Sequence, residues 1–186
     1  AGATLLANLG MHIGAEEIED QAARLGSDVP ALLHGGASFV EGRGDRLRAI
    51  DCPALCGAIA VLDTSSTARV FAELQPAELR SQGNVDSGDR CALVIRRLTS
   101  GEAPDPADLG SSLEAAARRV NPRLDRNLEA LRACSQSVSW HMTGSGGAVF
   151  ALAQSWAAAE AAARLAREAG FPARAWRTTA APLFGW

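Results

Sequence analysis

The sequence predicts an α+β protein of two lobes, on three observations. Short apolar runs bounded by Gly, Pro and Asp clusters alternate with amphipathic helical stretches. The pattern changes near Asp51-Cys52-Pro53, which divides the chain into residues 1–53 and 54–186. From residue 57 onward the order β–α–α–β–β–α–β suits a split βαβ, ferredoxin-like lobe. With 186 residues, 47% hydrophobic and 21% charged, the chain can bury one good core or two small ones without a disulfide staple or a structural metal.

Residues 1–9 are small and apolar from the first position, with no cap residue, and read as the middle of a helix whose cap lies upstream, so the chain reads as truncated at its start. Glu16 to Leu25 is an amphipathic helix with Ile18, Ala22 and Leu25 on one stripe, Arg24 in its last turn and Gly26 as its stop. Ser27-Asp28-Val29-Pro30 then reads as a loop leading into Ala31 to Gly36, with Pro30 biasing Val29 toward an extended backbone. Ala37 to Glu41 and Arg46 to Ile50 are strands around a Gly42-Arg43-Gly44-Asp45 turn.

In the second lobe, Gly57 to Leu62 is a buried strand. Thr64 to Thr67 caps a helix containing Val70, Phe71 and Leu74, which Pro76 ends. Loops at 81–89 and 99–110 flank a helix from Arg90 to Leu98. Leu113 to Val120 and Arg123 to Cys134 are helices separated at Asn121-Pro122. Ser137 to Met142 and Ala148 to Ala153 are strands enclosing Thr143 to Gly147, Ala157 to Ala169 is an Ala-rich helix closed by Gly170, and Ala173 to Thr179 is the last strand.

Composition removes several classes of function. A net charge of −3 leaves no basic field for nucleic acid, so no nucleic-acid partner is expected. All 18 basic residues are arginine, so neither a P-loop lysine nor a Schiff-base lysine is available. The four cysteines lack nearby histidines in a zinc pattern and read as reduced, mostly buried hydrophobes, and no metal site is expected. The sequence shows neither a signal-like N-terminus nor an apolar run of membrane-spanning length, so a cytoplasmic protein without a membrane partner is expected.

Two places carry chemistry. Gly144-Ser145-Gly146-Gly147 sits between two strands, where its amides can converge on an anion, although a hairpin with glycines at positive φ has the same sequence. Asp28 precedes Val29-Pro30 and reads either as a base projecting into a cleft or as a turn or cap aspartate.

Leu25-Gly-Ser-Asp-Val-Pro30, His34-Gly-Gly36, Glu41-Gly-Arg-Gly44 and Met142-Thr-Gly-Ser-Gly146 with Val149-Phe150 together resemble, in order and spacing, the GHMP kinases. The block around Asp28 resembles the branch acting on 4-diphosphocytidyl-2-C-methyl-D-erythritol, a cytidine-diphosphate sugar alcohol of the non-mevalonate isoprenoid route; mevalonate, homoserine and galactose kinases share the glycine-serine turn more than this block. The resemblance implies a GHMP kinase fold, with residues 1–53 the remnant of an ATP-binding lobe and 54–186 the C-terminal lobe. It implies ATP with Mg²⁺ as phosphate donor and Asp28 as the catalytic aspartate that deprotonates the 2-hydroxyl. Thr67 and Phe71 match positions beside the cytidine end of the substrate, with Phe71 stacking on cytosine or, read as an ordinary helix residue, packing in the core. Gly144, Ser145 and Gly146 match a turn supporting the nucleotide loop at the phosphate end. The family's glycine-rich nucleotide loop and its early lysine fall upstream of Ala1, so the 186 residues alone are expected to be inactive; a homodimer is compatible with the pattern. Another small-alcohol substrate within the family, or a non-catalytic ferredoxin-like binding module, are the alternative readings.

Overall fold

The structure, a computed structural model, describes residues 15–42, 44, 46–76, 78 and 87–178. The described residues up to Cys52 form one compact unit and Pro53–Thr178 a second. The helix expected at residues 1–9, positions 81–86 of the loop expected over 81–89 and the end of the last strand at Thr179 lie outside the described residues.

In the first unit, α1 (Ala15–Leu25) ends with Arg24 in its last turn as the sequence predicts. Of its apolar stripe, Ala22 is buried whereas Leu25 is exposed. A second helix, α2 (Val29–His34), stands where the sequence reads as loop. Pro30 lies in its first turn, where a missing N–H costs nothing because no helical carbonyl is there to receive it. That preference overrides the extended bias on the residue before proline, and Val29 is helical. β1 (Ala37–Glu41) and β2 (Arg46–Ile50) form an antiparallel hairpin from Ala37↔Ile50 to Glu41↔Arg46, with both strands at the expected positions.

The second unit is built on a four-stranded antiparallel sheet of β3 (Cys56–Val61), β4 (His141–Met142), β5 (Ala148–Ala153) and β6 (Ala173–Arg177), ordered β4-β5-β3-β6. The first and third strands of this unit are central, which is the ferredoxin-like arrangement expected. Between β3 and β4 run α3 (Thr67–Ala72), α4 (Ser87–Thr99), a 3₁₀ turn at Pro106–Asp108, α5 (Glu114–Val120) and α6 (Pro122–Cys134); α7 (Trp156–Glu168) joins β5 to β6.

One face of the sheet makes the core. Ala58 and Ala60 of β3, Val149 and Ala151 of β5 and Met142 of β4 pack with Leu124, Leu128 and Leu131 of α6 and with Ala162, Ala163 and Ala166 of α7. Alanine on both the helix and the strands lets α7 approach the sheet closely, while each buried leucine of α6 contributes about 1.5–3 kcal/mol. That packing fixes the ends of β3 and β5, from which the candidate site extends.

Three further expectations need correction. Ser87 to Asp89, read as the end of a loop, open α4 instead, with the Asp89 carboxylate in the first turn favouring the helix N-terminus. β4 covers only His141–Met142, not Ser137 to Met142, because the chain leaving α6 at Cys134 is still turning at 136–138 and joins the sheet only at His141. The cysteines are not mostly buried: Cys52 and Cys56 are half-buried, and Cys91 and Cys134 are exposed on helices. Small size lets cysteine occupy these outward positions without leaving a large apolar surface in water.

Candidate functional site

The β4–β5 hairpin carries its glycine-rich tip at one end of the sheet, closed by the Thr143 N–H donating to the Ala148 carbonyl at 3.1 Å. Its glycines divide by physical role. A Cβ on Gly147 would sit 1.2 Å from the Asp63 carbonyl oxygen, and the Leu62 N–H donates to the Gly147 carbonyl at 2.7 Å. Gly147 therefore locks the hairpin against the loop that leaves β3. Gly144 and Gly146 differ, since neither has a left-handed φ and no atom lies within 4 Å of where a Cβ would stand. The backbone does not require glycine there; what the two glycines provide is open space flanking Ser145.

The loop held by Gly147 leads directly into α3. Ser66 caps this helix, its Oγ accepting from the Arg69 N–H at 3.4 Å, and Val70 is its fully buried anchor. The Ser145 Oγ donates to the Thr67 Oγ1 at 2.9 Å, so the structure brings the glycine-serine turn and the start of α3 together. Phe71 lies one turn beyond Thr67 and is 56% exposed. The core reading of Phe71 is thus excluded: Val70 takes the inward position and leaves the phenyl ring facing water. Gly144, Ser145 and Gly146 thus lie at the start of α3 beside Thr67, with the exposed Phe71 one turn further along the helix.

Sequence reasoning missed the residues that hold this surface. Asn121, read only as a break between helices, is the N-cap of α6, its Oδ1 accepting from the Arg123 and Leu124 N–H groups at 3.0 and 3.1 Å. Asn followed by Pro at a helix start was the available signal. The Asn127 Nδ2 donates to the Leu62 carbonyl at 2.8 Å, gripping the same loop. The Asp63 carboxyl is held below its ordinary range, first by the Thr64 N–H at 2.8 Å, then by the Asn121 amide and the Arg123 guanidinium. The contacts of Asn121 and Asn127 with the loop after β3 join residues far apart in the chain and leave no local pattern.

In the first unit, Asp28 is exposed at the N-cap position of α2, with φ −89° and ψ −13°, and its carboxylate makes no cap hydrogen bond. The cap reading of Asp28 therefore describes its backbone position but not its side chain. Gly44, at φ +91°, brings the β1–β2 turn so close that a Cβ would lie 2.0 Å from the Ser27 carbonyl oxygen. Gly44 thus braces the residue next to Asp28. Within their own units, these are the positions of the sequence-predicted residues.

Among the described residues, no group of three or more His, Cys, Asp or Glu side chains converges as a metal-binding cluster, and no helix is long and apolar enough to cross a membrane. A groove along α7 and β6, lined by Trp156, Arg164, Arg167 and Arg174, includes none of Thr67, Phe71 or Ser145.

Residues 96–170 match the family described as GHMP kinases C terminal. The chain is 37% identical over 179 residues to the 4-diphosphocytidyl-2-C-methyl-D-erythritol kinase of Nocardia farcinica, covering 94% of this chain and 57% of that protein. It is 37% identical over 123 residues to the kinase of the same name from Rhodococcus jostii, covering 64% of this chain and 39% of that one. The chain thus spans well under two thirds of the length of these relatives. Among solved structures, a 4-(cytidine 5'-diphospho)-2C-methyl-D-erythritol kinase superimposes with a TM-score of 0.70 at 26% identity, over 95% of this chain and 60% of that one. A homoserine kinase from Cytophaga hutchinsonii shares the fold, with a TM-score of 0.61 at 16% identity over 94% of this chain and 61% of that one.

Proposed function

We propose that this chain, which belongs to the GHMP kinase family, is the part of a small-molecule kinase that recognises the cytidine end of 4-diphosphocytidyl-2-C-methyl-D-erythritol and supplies the base for phosphorylation of its 2-hydroxyl. The observation that carries the reading is the surface made by Thr67, Ser145 and the exposed Phe71 beside two glycines that the fold does not need. In this reading the Phe71 ring stacks on the cytosine, and the Thr67–Ser145 hydroxyl pair orients polar atoms near it. Gly144 and Gly146 leave room for the diphosphate end of the substrate or for the nucleotide loop.

Asp28 then accepts the proton of the 2-hydroxyl as its oxygen attacks the γ-phosphorus of ATP. The new O–P bond forms while the bond to the β-phosphate oxygen breaks, and ADP leaves with that electron pair. That the Asp28 carboxylate makes no cap hydrogen bond suits the role, since such a bond would compete for its lone pairs. ATP and its Mg²⁺ enter as co-substrate, and no Mg²⁺ ligand set is assigned to the described residues. Their positioning supplies most of the barrier lowering in phosphoryl transfer, so the 186 residues are proposed to act together with a nucleotide-binding loop, in the cytoplasm, where ATP is available.

The test is turnover of the full-length protein containing this chain, with MgATP and, in turn, the cytidine-diphosphate alcohol, mevalonate, homoserine and galactose. Phosphorylation of the first at its 2-hydroxyl, and a loss of about 10²–10⁴-fold in kcat in Asp28→Asn, is the expected result. Preference for another alcohol overturns the substrate, and near-normal turnover in Asp28→Asn overturns the base.

A further inference from the structure

We infer that the junction between α5 and α6 positions α3 for substrate recognition, with Asn121 holding the approach to Thr67 and Arg119 holding the helix beyond Phe71. This rests on the reading of Thr67 and Phe71 as substrate contacts, and assigns to two residues with no such contact the task of fixing where those side chains stand.

At the N-terminal end, the Asn121 Nδ2 lies within donating distance of the Asp63 Oδ2 at 3.3 Å, the Thr64 carbonyl at 3.2 Å and the Ser65 Oγ at 3.3 Å. These three residues lead into the Ser66 cap, so one amide sets the path by which the chain enters α3. The other side of that amide is the cap of α6, whose Leu124, Leu128 and Leu131 are fully buried. The segment from Asp63 to Ser65 is therefore referenced to the core through the Asn121 side chain, while Asn127 holds the chain just before it at the Leu62 carbonyl.

At the other end, the Arg119 Nη2 donates to the Glu73 carbonyl, the C-cap of α3, at 2.8 Å. Its Nη1 and Nη2 also make a two-pronged contact with Glu78, at 2.6 and 2.9 Å. The Glu78 carboxylate in turn accepts the Gln75 N–H at 2.9 Å, which fastens the segment following the helix. A helix of six residues has too few internal hydrogen bonds to persist by itself in water. Apart from Val70 it is exposed, so its orientation must come from outside. Arg119 and Asn121 are two residues apart on an element anchored by buried Ala116 and Ala117 on one side and Leu124 on the other. A rigid bracket on two ends fixes both the position and the tilt of the face carrying Thr67 and Phe71, where a displacement of about 1 Å is enough to spoil recognition.

Two conservative variants separate this role from simple stability. Asn121→Asp keeps an acceptor for the α6 amides, aspartate being as good an N-cap as asparagine, but removes the donor and sets a carboxylate against Asp63. Arg119→Lys keeps the charge and loses the fork. Amide hydrogen exchange on the 186-residue chain is the readout independent of activity. The Val70 and Glu73 amides, which donate to the Ser66 and Arg69 carbonyls, should exchange roughly tenfold faster in both variants, while the Leu128 and Leu131 amides keep their protection. Steady-state kinetics on the full-length protein should show KM for the cytidine substrate raised roughly tenfold in each, with kcat and KM for ATP within about twofold of wild type. Unchanged protection of α3, equal loss of protection in α3 and α6, or a fall in kcat at constant KM overturns the inference. A wild-type protein that ignores the cytidine substrate refutes the functional reading instead, and the exchange data still decide whether the junction holds the helix.

Discussion

Gly147→Ala should destabilise the second unit while the chemically identical change at Gly146 does not. At Gly147 the new methyl carbon would stand 1.2 Å from the Asp63 carbonyl oxygen, 2.2 Å from its carbon and 2.8 Å from the Asp63 nitrogen, all backbone atoms that no side-chain rotation can move. Restoring van der Waals separation requires the hairpin and the loop to part by about 2 Å. A movement of that size breaks the 2.7 Å bond from the Leu62 N–H to the Gly147 carbonyl. Overpacking contributes about 1–3 kcal/mol and the lost hydrogen bond about 1 kcal/mol, so the expected destabilisation is about 2–4 kcal/mol. The assay is equilibrium urea unfolding followed by tryptophan fluorescence, with Trp140, only 1% exposed in the core, reporting on this unit. For a urea slope of about 2 kcal/mol/M, the midpoint falls by about 1–2 M. Gly144→Ala and Gly146→Ala should remain within about 0.5 kcal/mol of wild type. A Gly147→Ala protein with the wild-type midpoint, or a Gly146→Ala protein as unstable as Gly147→Ala, would refute the division of the glycines into structural and ligand-facing.

Phe71→Ala should change stability by less than about 1 kcal/mol, because the ring is more than half exposed, yet raise KM for the cytidine substrate by roughly tenfold or more through lost base stacking; an unchanged KM removes Phe71 from the site. Glu78, held down to about 2 from its ordinary 4.5, first by the Arg119 hydrogen bond and then by the Gln75 N–H, has a depressed folded pKa. Its contribution is therefore complete above pH 4.5 and lost as pH falls toward 2. The melting temperature of Glu78→Gln should vary less with pH across that window than wild type does, and parallel profiles would show that the Arg119 fork adds nothing to stability.

Strand positions and the long helices were legible in the sequence because each is a local pattern. Both strands of the first hairpin, the Ala148–Ala153 run and the alanine stripe of α7 follow from periodicity and flanking turn residues. Misreadings arose where two local rules compete. At Pro30 the extended bias of the preceding residue and the fitness of proline for a first helical turn point in opposite directions, and the helix wins. Before His141 the alternation of Ser137 to Met142 is real, but the chain leaving α6 is still turning at 136–138 and reaches the sheet only at His141. In the candidate site, residue types were legible and partnerships were not. Nothing near Thr67 in the chain announces Ser145, and nothing near Asn121 announces Asp63 or Ser65, because these pairs meet only after the β3–β5 register is set.

A motif read as one string turns out to be two kinds of residue when the space around each is considered. Gly44 and Gly147 press backbone against backbone, the one on Ser27 beside Asp28, the other on Asp63 at the entrance to α3. Each would exist in a protein that bound nothing, since each is needed to close its own turn. Gly144 and Gly146 meet no such requirement, and asparagine or serine there would satisfy the hairpin equally well. Glycine where the fold permits any small residue is what a site pressed by a ligand or by another backbone would require, and it adjoins the Ser145–Thr67 hydroxyl pair that joins the hairpin to α3. The separation also orders the consequences of mutation: changes at Gly44 or Gly147 act through folding and should lower every activity of their unit together, whereas changes at Gly144 or Gly146 should leave the fold intact and act on ligand alone.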